Sequence, residues 1–525
     1  MADGDSVGFL CGFVCGGLFR LGSKSTKRIQ SQNGPSRSLV CDRYPQRRKS
    51  LNILRCAIER DGGSAAADVA RGEFVQVPSG PYCEIGREVK VPHISDYLDD
   101  LPTFPNPARG REEVNKHFVD DTDFVFHQCV VNAKKPRDMT MYLRAGAREE
   151  VYFQPDEVRA AIVSCGGICP GINTVIREIV ACLWSEYGVR CIFGIPNGYR
   201  GFYSGNWRQL DPDTVSSIHK LGGSVLGSSR GGHDTMKIMD AIEVRGINMV
   251  YIIGGDGTIK GAKKIEEEAR LRGLKLSVVS VPKTIDNDIP VIDRSFGFDT
   301  AVEEAQRAIN AAVVETTSYP NGLAVVRLMG RNSGYIAMNA TLSSRDVDVC
   351  LIPEESFALY GSGGLADFIQ ERLAKKDRCV IVVAEGAGQD ILACAQDSVD
   401  ISGNKVLRDI GLYLYNEFKT YFRKLGIEVN MKYIDPTYMV RAVPANAGDN
   451  LYCTMLSHMA VHGAFAGFTG FTVGPVNGFH VYIPISTIEG VQRKVDTADR
   501  LWLRLVSITG QPKFHSVEAC DLVQN

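Results

Sequence analysis

From about residue 157 onward, short apolar, β-branched runs alternate with segments whose apolar residues recur at helical spacing. Residues 160–165 read as a strand and 173–187 as a helix, with Val175, Ile176, Ile179, Val180 and Leu183 on one stripe. Strands recur at 189–195, 248–253 and 275–281, with helical patterns between them. The rhythm restarts near residue 300. Helices are expected at 300–318, 333–343, 365–375, 406–425 and 447–467, and strands at 323–327, 348–352, 379–384 and 428–434. This βαβ alternation predicts an α/β fold of two doubly wound, Rossmann-like lobes, 157–299 and 300–478, with a functional cleft between them.

The flanks lack this rhythm. Residues 83–156 carry Pro102, Pro105 and Pro107 among mixed charges, with strand signals only at Val125-Phe126 and Cys129-Val130-Val131. They read as an N-terminal extension packed on the main body, and 479–525 as a C-terminal segment packed likewise. Residues 57–82 read as a linker, Gly-, Ala- and Ser-rich from residue 61. Between Gly16 and Ile58 there are ten Lys or Arg and one acid, Asp42, with Ser23, Ser25, Ser31, Ser36 and Ser38 in the gaps. That is the composition of a transit peptide, here 1–56, and Leu54-Arg55-Cys56-Ala57 resembles a plastid processing site. The chloroplast stroma is favoured over the mitochondrion, and a cytosolic tail is the alternative.

Composition narrows the function classes. A chain of 525 residues holds more than one core. A net charge of −2 gives no global basic field for nucleic acid. No uninterrupted apolar run approaches the ~20 residues of a membrane helix. Fifteen scattered cysteines without a paired framework suit a reducing compartment. Cys165 and Cys169 have no matching Cys or His pair close behind them, so they read as buried or loop thiols. A response to thiol redox state is a further expectation.

The chemistry concentrates in strand-end loops. Gly166-Gly167-Ile168-Cys169-Pro170-Gly171-Ile172-Asn173 opens the first helix. Gly254-Gly255-Asp256-Gly257-Thr258 and Thr284-Ile285-Asp286-Asn287-Asp288 each follow an apolar run, at the end of a strand where open α/β sheets place ligands. Glycines let a phosphate approach the backbone. Three carboxylates in two neighbouring loops offer a metal ligand and a base, which are parts of phosphoryl transfer. Capping of the loop by Asx turns is the plainer role for Asp286 and Asp288.

Taken in order with Met329-Gly330-Arg331 and Glu385-Gly386, these motifs closely resemble the 6-phosphofructokinase family, and Lys283, Lys432 and Tyr438 look like its plant and protist group. The resemblance covers about residues 157–478. It implies transfer of the γ-phosphoryl of Mg-ATP to the 1-hydroxyl of fructose 6-phosphate, with the first lobe binding ATP and the second the sugar phosphate. By the same resemblance Gly167, Arg230, Gly231, Gly255, Asp256, Gly257 and Thr258 contact ATP. Asp256 holds Mg2+, with Asp288 as a second contact. Asp286 is the base, Thr284 holds a transferring oxygen and Arg331 stabilises the transferring group. Thr284, Ile285, Asp286, Met329, Gly330, Arg331, Glu385, Lys432, Tyr438, Met439, Val440 and Arg441 contact the sugar phosphate. A homo-oligomer, tetramer favoured, is expected.

The chain departs from the bacterial type in two places. Tyr438 stands where those enzymes carry a histidine. Gly322 stands where they carry an arginine that reaches a neighbouring subunit's substrate, so contacts of that kind are in doubt. Pyrophosphate as donor and a non-catalytic regulatory subunit are the rival readings. Lys283 is shared with pyrophosphate-using relatives, but Gly257 replaces the aspartate that would crowd an α-phosphate. ATP is therefore expected.

Overall fold

The computed structural model describes residues 86–110, 118–130, 139–392 and 406–514, all within one compact unit, 80–525. The expected transit peptide and the whole linker lie outside the described residues, as do Val131 and the chain end beyond residue 514.

In chain order the strands are β1 (Arg87–Val89), β2 (Phe104–Pro105), β3 (Phe124–Phe126), β4 (Thr140–Arg144), β5 (Glu150–Val151), β6 (Arg159–Ser164), β7 (Cys191–Ile195), β8 (Arg208–Gln209), β9 (Met249–Gly254) and β10 (Ser277–Pro282). They continue as β11 (Gly322–Leu328), β12 (Val349–Leu351), β13 (Arg378–Ala384), β14 (Asn430–Ile434), β15 (Phe471–Val476) and β16 (Phe479–Pro484). The main helices are α1 (Ile172–Ala181), α2 (Thr235–Val244), α3 (Asp256–Leu271), α4 (Phe298–Thr317), α5 (Tyr335–Ser344), α6 (Leu365–Lys376), α7 (Ile410–Lys424), α8 (Ala447–Phe465) and α9 (Arg500–Thr509).

Two sheets carry the two lobes. The larger runs β1-β4-β16-β15-β10-β9-β6-β7-β8, with β3 paired to β4; the smaller runs β12-β13-β11-β14. Every residue of β9 and β10 is buried, as expected of parallel strands covered on both faces. Apolar clusters around Ile162, Ile176 and Phe465 on one face, and around Val163, Ile252 and Ile265 on the other, form the core of the first lobe. A third cluster around Val325, Ile381 and Phe418 supports the second sheet.

The first lobe is built from separated stretches of chain. The hairpin β15–β16 returns to it, with β15 parallel to β10 and β16 antiparallel to β4. Helix α8 packs on α1, where Ser457 Oγ donates to Val175 O at 3.3 Å and Thr174 Oγ1 to Asn450 Oδ1 at 2.7 Å. Residues 447–476 were expected in the second lobe, and here they complete the first. The extension is likewise part of the first sheet through β1, β3 and β4. Cys129 and Val130 form no strand. Helix α1 ends earlier than its apolar stripe suggests, passing into a π-helical turn, Cys182–Glu186.

Candidate active site

Strand-end loops of both sheets face one cavity of about 450 Å3. The first lobe contributes Gly166 to Cys169 after β6, Ser229 to Gly231, Gly255 to Ile259 after β9, and Lys283 to Asp286 with Asp288 after β10. The second lobe contributes Met329 and Arg331 after β11, Glu385 after β13 and Arg441 after β14. The N-terminus of α3 opens onto this region through Asp256, Gly257 and Thr258, so the positive end of its helix dipole favours an anion there.

Local backbone geometry explains several of the glycines. Gly171 caps α1 at φ 97°, and a Cβ there would lie 2.7 Å from Cys453 Sγ. Gly330 has φ 133°, and a Cβ there would meet Ser333 O at 2.5 Å. Gly167 and Gly257 are different: a Cβ at either would have nothing within 4 Å. Their missing side chains leave open space in the cavity wall.

The carboxylate loop is held from several sides. Thr284 Oγ1 donates to Asp288 Oδ1 at 3.1 Å and accepts from Asp286 N at 3.1 Å. Asn287 adopts φ 54°, and its Oδ1 accepts from Ser295 N at 2.9 Å. Ser333 Oγ reaches across from the second lobe to Asp286 O at 3.0 Å. Asp286 is half-buried: its Oδ1 is buried without a hydrogen-bond partner, while the carboxylate accepts a hydrogen bond from the Arg331 backbone. Burial, then the charges of Asp288 and Glu385, push its carboxyl up to about 8. Burial and the charge of Asp256 push Asp288 up to about 6, against the Thr284 hydroxyl. A carboxyl with a pKa near neutrality can pass between its two protonation forms at working pH, and its ionised form, with an unpartnered oxygen at the cavity, can accept a substrate proton.

Asp256 and Asp288 form an oxygen-only pair beside the phosphate loops. Charge from one raises the proton affinity of the other. That donor set fits a hard cation that keeps several waters and is completed by phosphate oxygens.

Of the residues singled out from sequence, Gly167, Arg230, Gly231, Gly255, Asp256, Gly257, Thr258, Thr284, Ile285, Asp286, Asp288, Met329, Arg331, Glu385 and Arg441 line the cavity. Lys432, Tyr438, Met439, Val440 and Gly330 do not. Lys432 Nζ turns to Glu315 at 3.2 Å and lies 4.7 Å over the Tyr319 ring. Tyr438 and Met439 are 74% and 61% exposed, and Val440 is buried. Glu385 is held by Arg327 at 3.1 Å, and Arg327 also pairs with Asp435 at 2.8 Å.

Sequence reasoning left out His233, Asn332 and Gln492, which line the same cavity, and named Lys283 only as a family marker without a place in the site. Lys283 is buried, its Nζ donates to Gly167 O at 2.5 Å, and burial lowers its pKa. Its place directly before Thr284 was the available signal. His233 packs edge-on against Tyr199, and burial lowers its pKa, so it is neutral at pH 7. Gln492 comes from far along the chain and had no signal. Cys165 and Cys169 are both free and buried, and burial raises both thiol pKa values, which leaves them poor nucleophiles. The expected redox response finds no support at this pair.

Comparison with known proteins identifies the family. The profile described as Phosphofructokinase matches residues 159–464. The chain belongs to the phosphofructokinase family. ATP-dependent 6-phosphofructokinase 7 of Arabidopsis thaliana is 58% identical over 429 residues, covering 81% of this chain and 88% of that protein. ATP-dependent 6-phosphofructokinase 4, chloroplastic, of the same plant is also 58% identical, over 431 residues and 81% of each chain. The Trypanosoma brucei brucei ATP-dependent 6-phosphofructokinase is 38% identical over 426 residues, 78% of this chain and 86% of that one.

Solved structures agree on the phosphofructokinase fold. The Saccharomyces cerevisiae enzyme superposes with TM-score 0.52 at 22% identity, covering 63% of this chain and 45% of that one. The pyrophosphate-dependent phosphofructokinase of Marinobacter aquaeolei gives TM-score 0.55 at 18% identity, covering 68% and 92%. Within this family setting the departure at Gly322 has a steric cause. Gly322 opens β11, and a Cβ there would lie 2.0 Å from Thr316 O, so no arginine fits at this position.

Proposed function

We propose that this chain is an ATP-dependent 6-phosphofructokinase, which transfers the γ-phosphoryl of Mg-ATP to the 1-hydroxyl of fructose 6-phosphate, and that the carboxylate loop 284–288 performs the chemistry. The buried, unpartnered Oδ1 of Asp286 in the cavity wall carries the reading. A hydroxyl attacking phosphorus must shed a proton, and Asp286 is the group in the cavity built to take it. Asp256 and Asp288 would hold Mg2+, which supplies neutralisation of phosphate charge. The amide groups around Gly167 and Gly255, with Arg230 and Lys283, bind the donor phosphates. Arg331 offsets charge on the transferring group, and Glu385 and Arg441 bind the sugar phosphate.

The open space at Gly257 supports ATP over pyrophosphate, because it leaves room for the α-phosphate. The exposure of Tyr438 and Met439 supports a homo-oligomer in which this segment meets a neighbouring subunit. The basic, Ser-rich start of the chain supports import into plastids. Purified protein assayed with fructose 6-phosphate and each donor in turn tests the central assignment. Faster turnover with pyrophosphate than with Mg-ATP would overturn the donor. No turnover with either would overturn the enzyme.

A further inference from the structure

A second cluster of chemically competent side chains lies at the other end of α1. Its π-helical turn presents Cys182 and Glu186, and the facing helix α8 presents His458 and His462. Both pairs are four residues apart, so each places two side chains on one face, one turn apart. π-turns are rare and are often found at functional sites. One ligand atom from each of the four residues lies within 4.8 Å of the other three. Cys182 is fully buried and His462 is 8% exposed.

The contacts converge on one carboxylate. Glu186 Oε1 lies 3.0 Å from His458 Nδ1, and its Oε2 lies 3.9 Å from His462 Nε2. The Cys182 thiol donates to the same carboxylate. The far nitrogen of His462 makes a hydrogen bond, whereas that of His458 faces a carboxylate at ion-pair distance without one. His462 Nδ1 lies 2.8 Å from the Tyr187 hydroxyl, and His458 Nε2 lies 3.5 Å from Glu178 Oε2. In metal-binding histidines the non-ligating nitrogen usually has such a partner, which fixes the tautomer and the ring.

We propose that Cys182, Glu186, His458 and His462 form a structural site for a zinc-class divalent cation that clamps α1 to α8. One sulfur, two imidazole nitrogens and one carboxylate oxygen make the soft-to-borderline tetrahedral set of zinc, whereas the cavity's Asp256–Asp288 pair is all oxygen. Thiolate plus carboxylate balance a dication, so the loaded site is neutral. Bonds of 2.0–2.3 Å put tetrahedral ligands roughly 3.3–3.8 Å apart, so side-chain shifts of about 1 Å suffice. Ligation releases the thiol proton and any proton held between Glu186 and the imidazoles. Because α1 begins at the phosphate loop, the clamp would hold that loop's helix in place from its far end.

The competing account is a metal-free network of ion pairs. Full-length protein is stripped with a chelator and titrated with Co2+ in saturating Mg2+. The expected result is one cobalt per chain with a thiolate-to-cobalt charge-transfer band. Cys182→Ser should lose the band, and zinc affinity measured by chelator competition should fall at least about 100-fold. Glu186→Gln, with a partly exposed side chain, covers the case in which the cysteine variant fails to fold. Zinc should raise the Tm of stripped wild type and not of Glu186→Gln. Absence of the band in wild type, or equal zinc affinity and equal Tm response in the variants, overturns the site in favour of the ion-pair network.

Discussion

Gln492 Nε2 donates to Asp256 Oδ2 at 3.2 Å, tying a residue beyond the last strand to a candidate metal-holding carboxylate. The bond is exposed, so its worth is about 0.5–1 kcal/mol. Gln492→Ala should raise the Mg2+ concentration for half-maximal activity about 2–5-fold, with kcat little changed. A magnesium titration checks this, and an unchanged midpoint would show that Asp256 needs no such support.

Asp286→Asn keeps the size of the side chain and removes its ability to accept a proton. Turnover should fall about 10²–10⁴-fold, the usual weight of general base catalysis, while substrate affinity changes far less. Near-normal turnover would remove Asp286 from the mechanism.

The same residue predicts a pH effect on stability. Its carboxyl holds its proton up to about 8 in the folded protein, against ~3.9 in an unfolded chain. Between about pH 4 and 8 the folded state therefore binds more protons. Stability without substrate should fall as pH rises through that window. Asp286→Asn has no such proton to lose. Near pH 8 it should be more stable than wild type, and the difference should shrink toward pH 4. Denaturant titrations at the two pH values decide the matter; an asparagine variant less stable at pH 8 contradicts the burial argument.

Gly257→Asp tests the donor. A Cβ at this position meets nothing within 4 Å, and a carboxylate in the first turn of a helix is electrostatically favoured, so the variant should fold. The new charge occupies the space needed by an α-phosphate. ATP use should be abolished, and weak pyrophosphate use is the expected gain, since Lys283 already stands in the cavity. Retained ATP turnover in the folded variant would contradict the role given to Gly257.

Gly322→Ala should cost roughly 2–4 kcal/mol, because the added methyl collides with the Thr316 carbonyl rather than with a mobile side chain. Thermal unfolding reads this directly. A variant as stable as wild type would show that the start of β11 can shift.

Most of the α/β scaffold was legible because its strands are short apolar runs between helical stripes. The centres of β6, β9, β10 and β13 all fall within the expected segments. Partners of strands were not legible. The strand β15 carries Gly474 and Pro475, residues that weaken a local strand signal, yet Gly474 is required because a Cβ there would lie 2.2 Å from Ile292. The loops 254–258 and 284–288 revealed the phosphate and carboxylate chemistry because each is continuous in sequence. Lys432, Tyr438 and Met439 sit in one recognisable segment, but adjacency along the chain does not tell which side chains face the cavity. Gln492 reaches Asp256 only through tertiary folding.

The return of β15 to the first sheet has a consequence for how the chain is made. One neighbour of β10 is β9, which precedes it, and the other is β15, which follows the entire second lobe. At ~5–20 residues per second, the ribosome leaves that edge of β10 without its partner for roughly ten to forty seconds. During this interval β1, β3 and β4 also wait, since they join the sheet only through β16. A bare edge on a strand that the folded protein buries completely is a template for pairing with another chain. Nascent copies of this enzyme are therefore most prone to aggregation after the first lobe's central strands have emerged and before residue 471 has, the period in which chaperone capture has the most to protect.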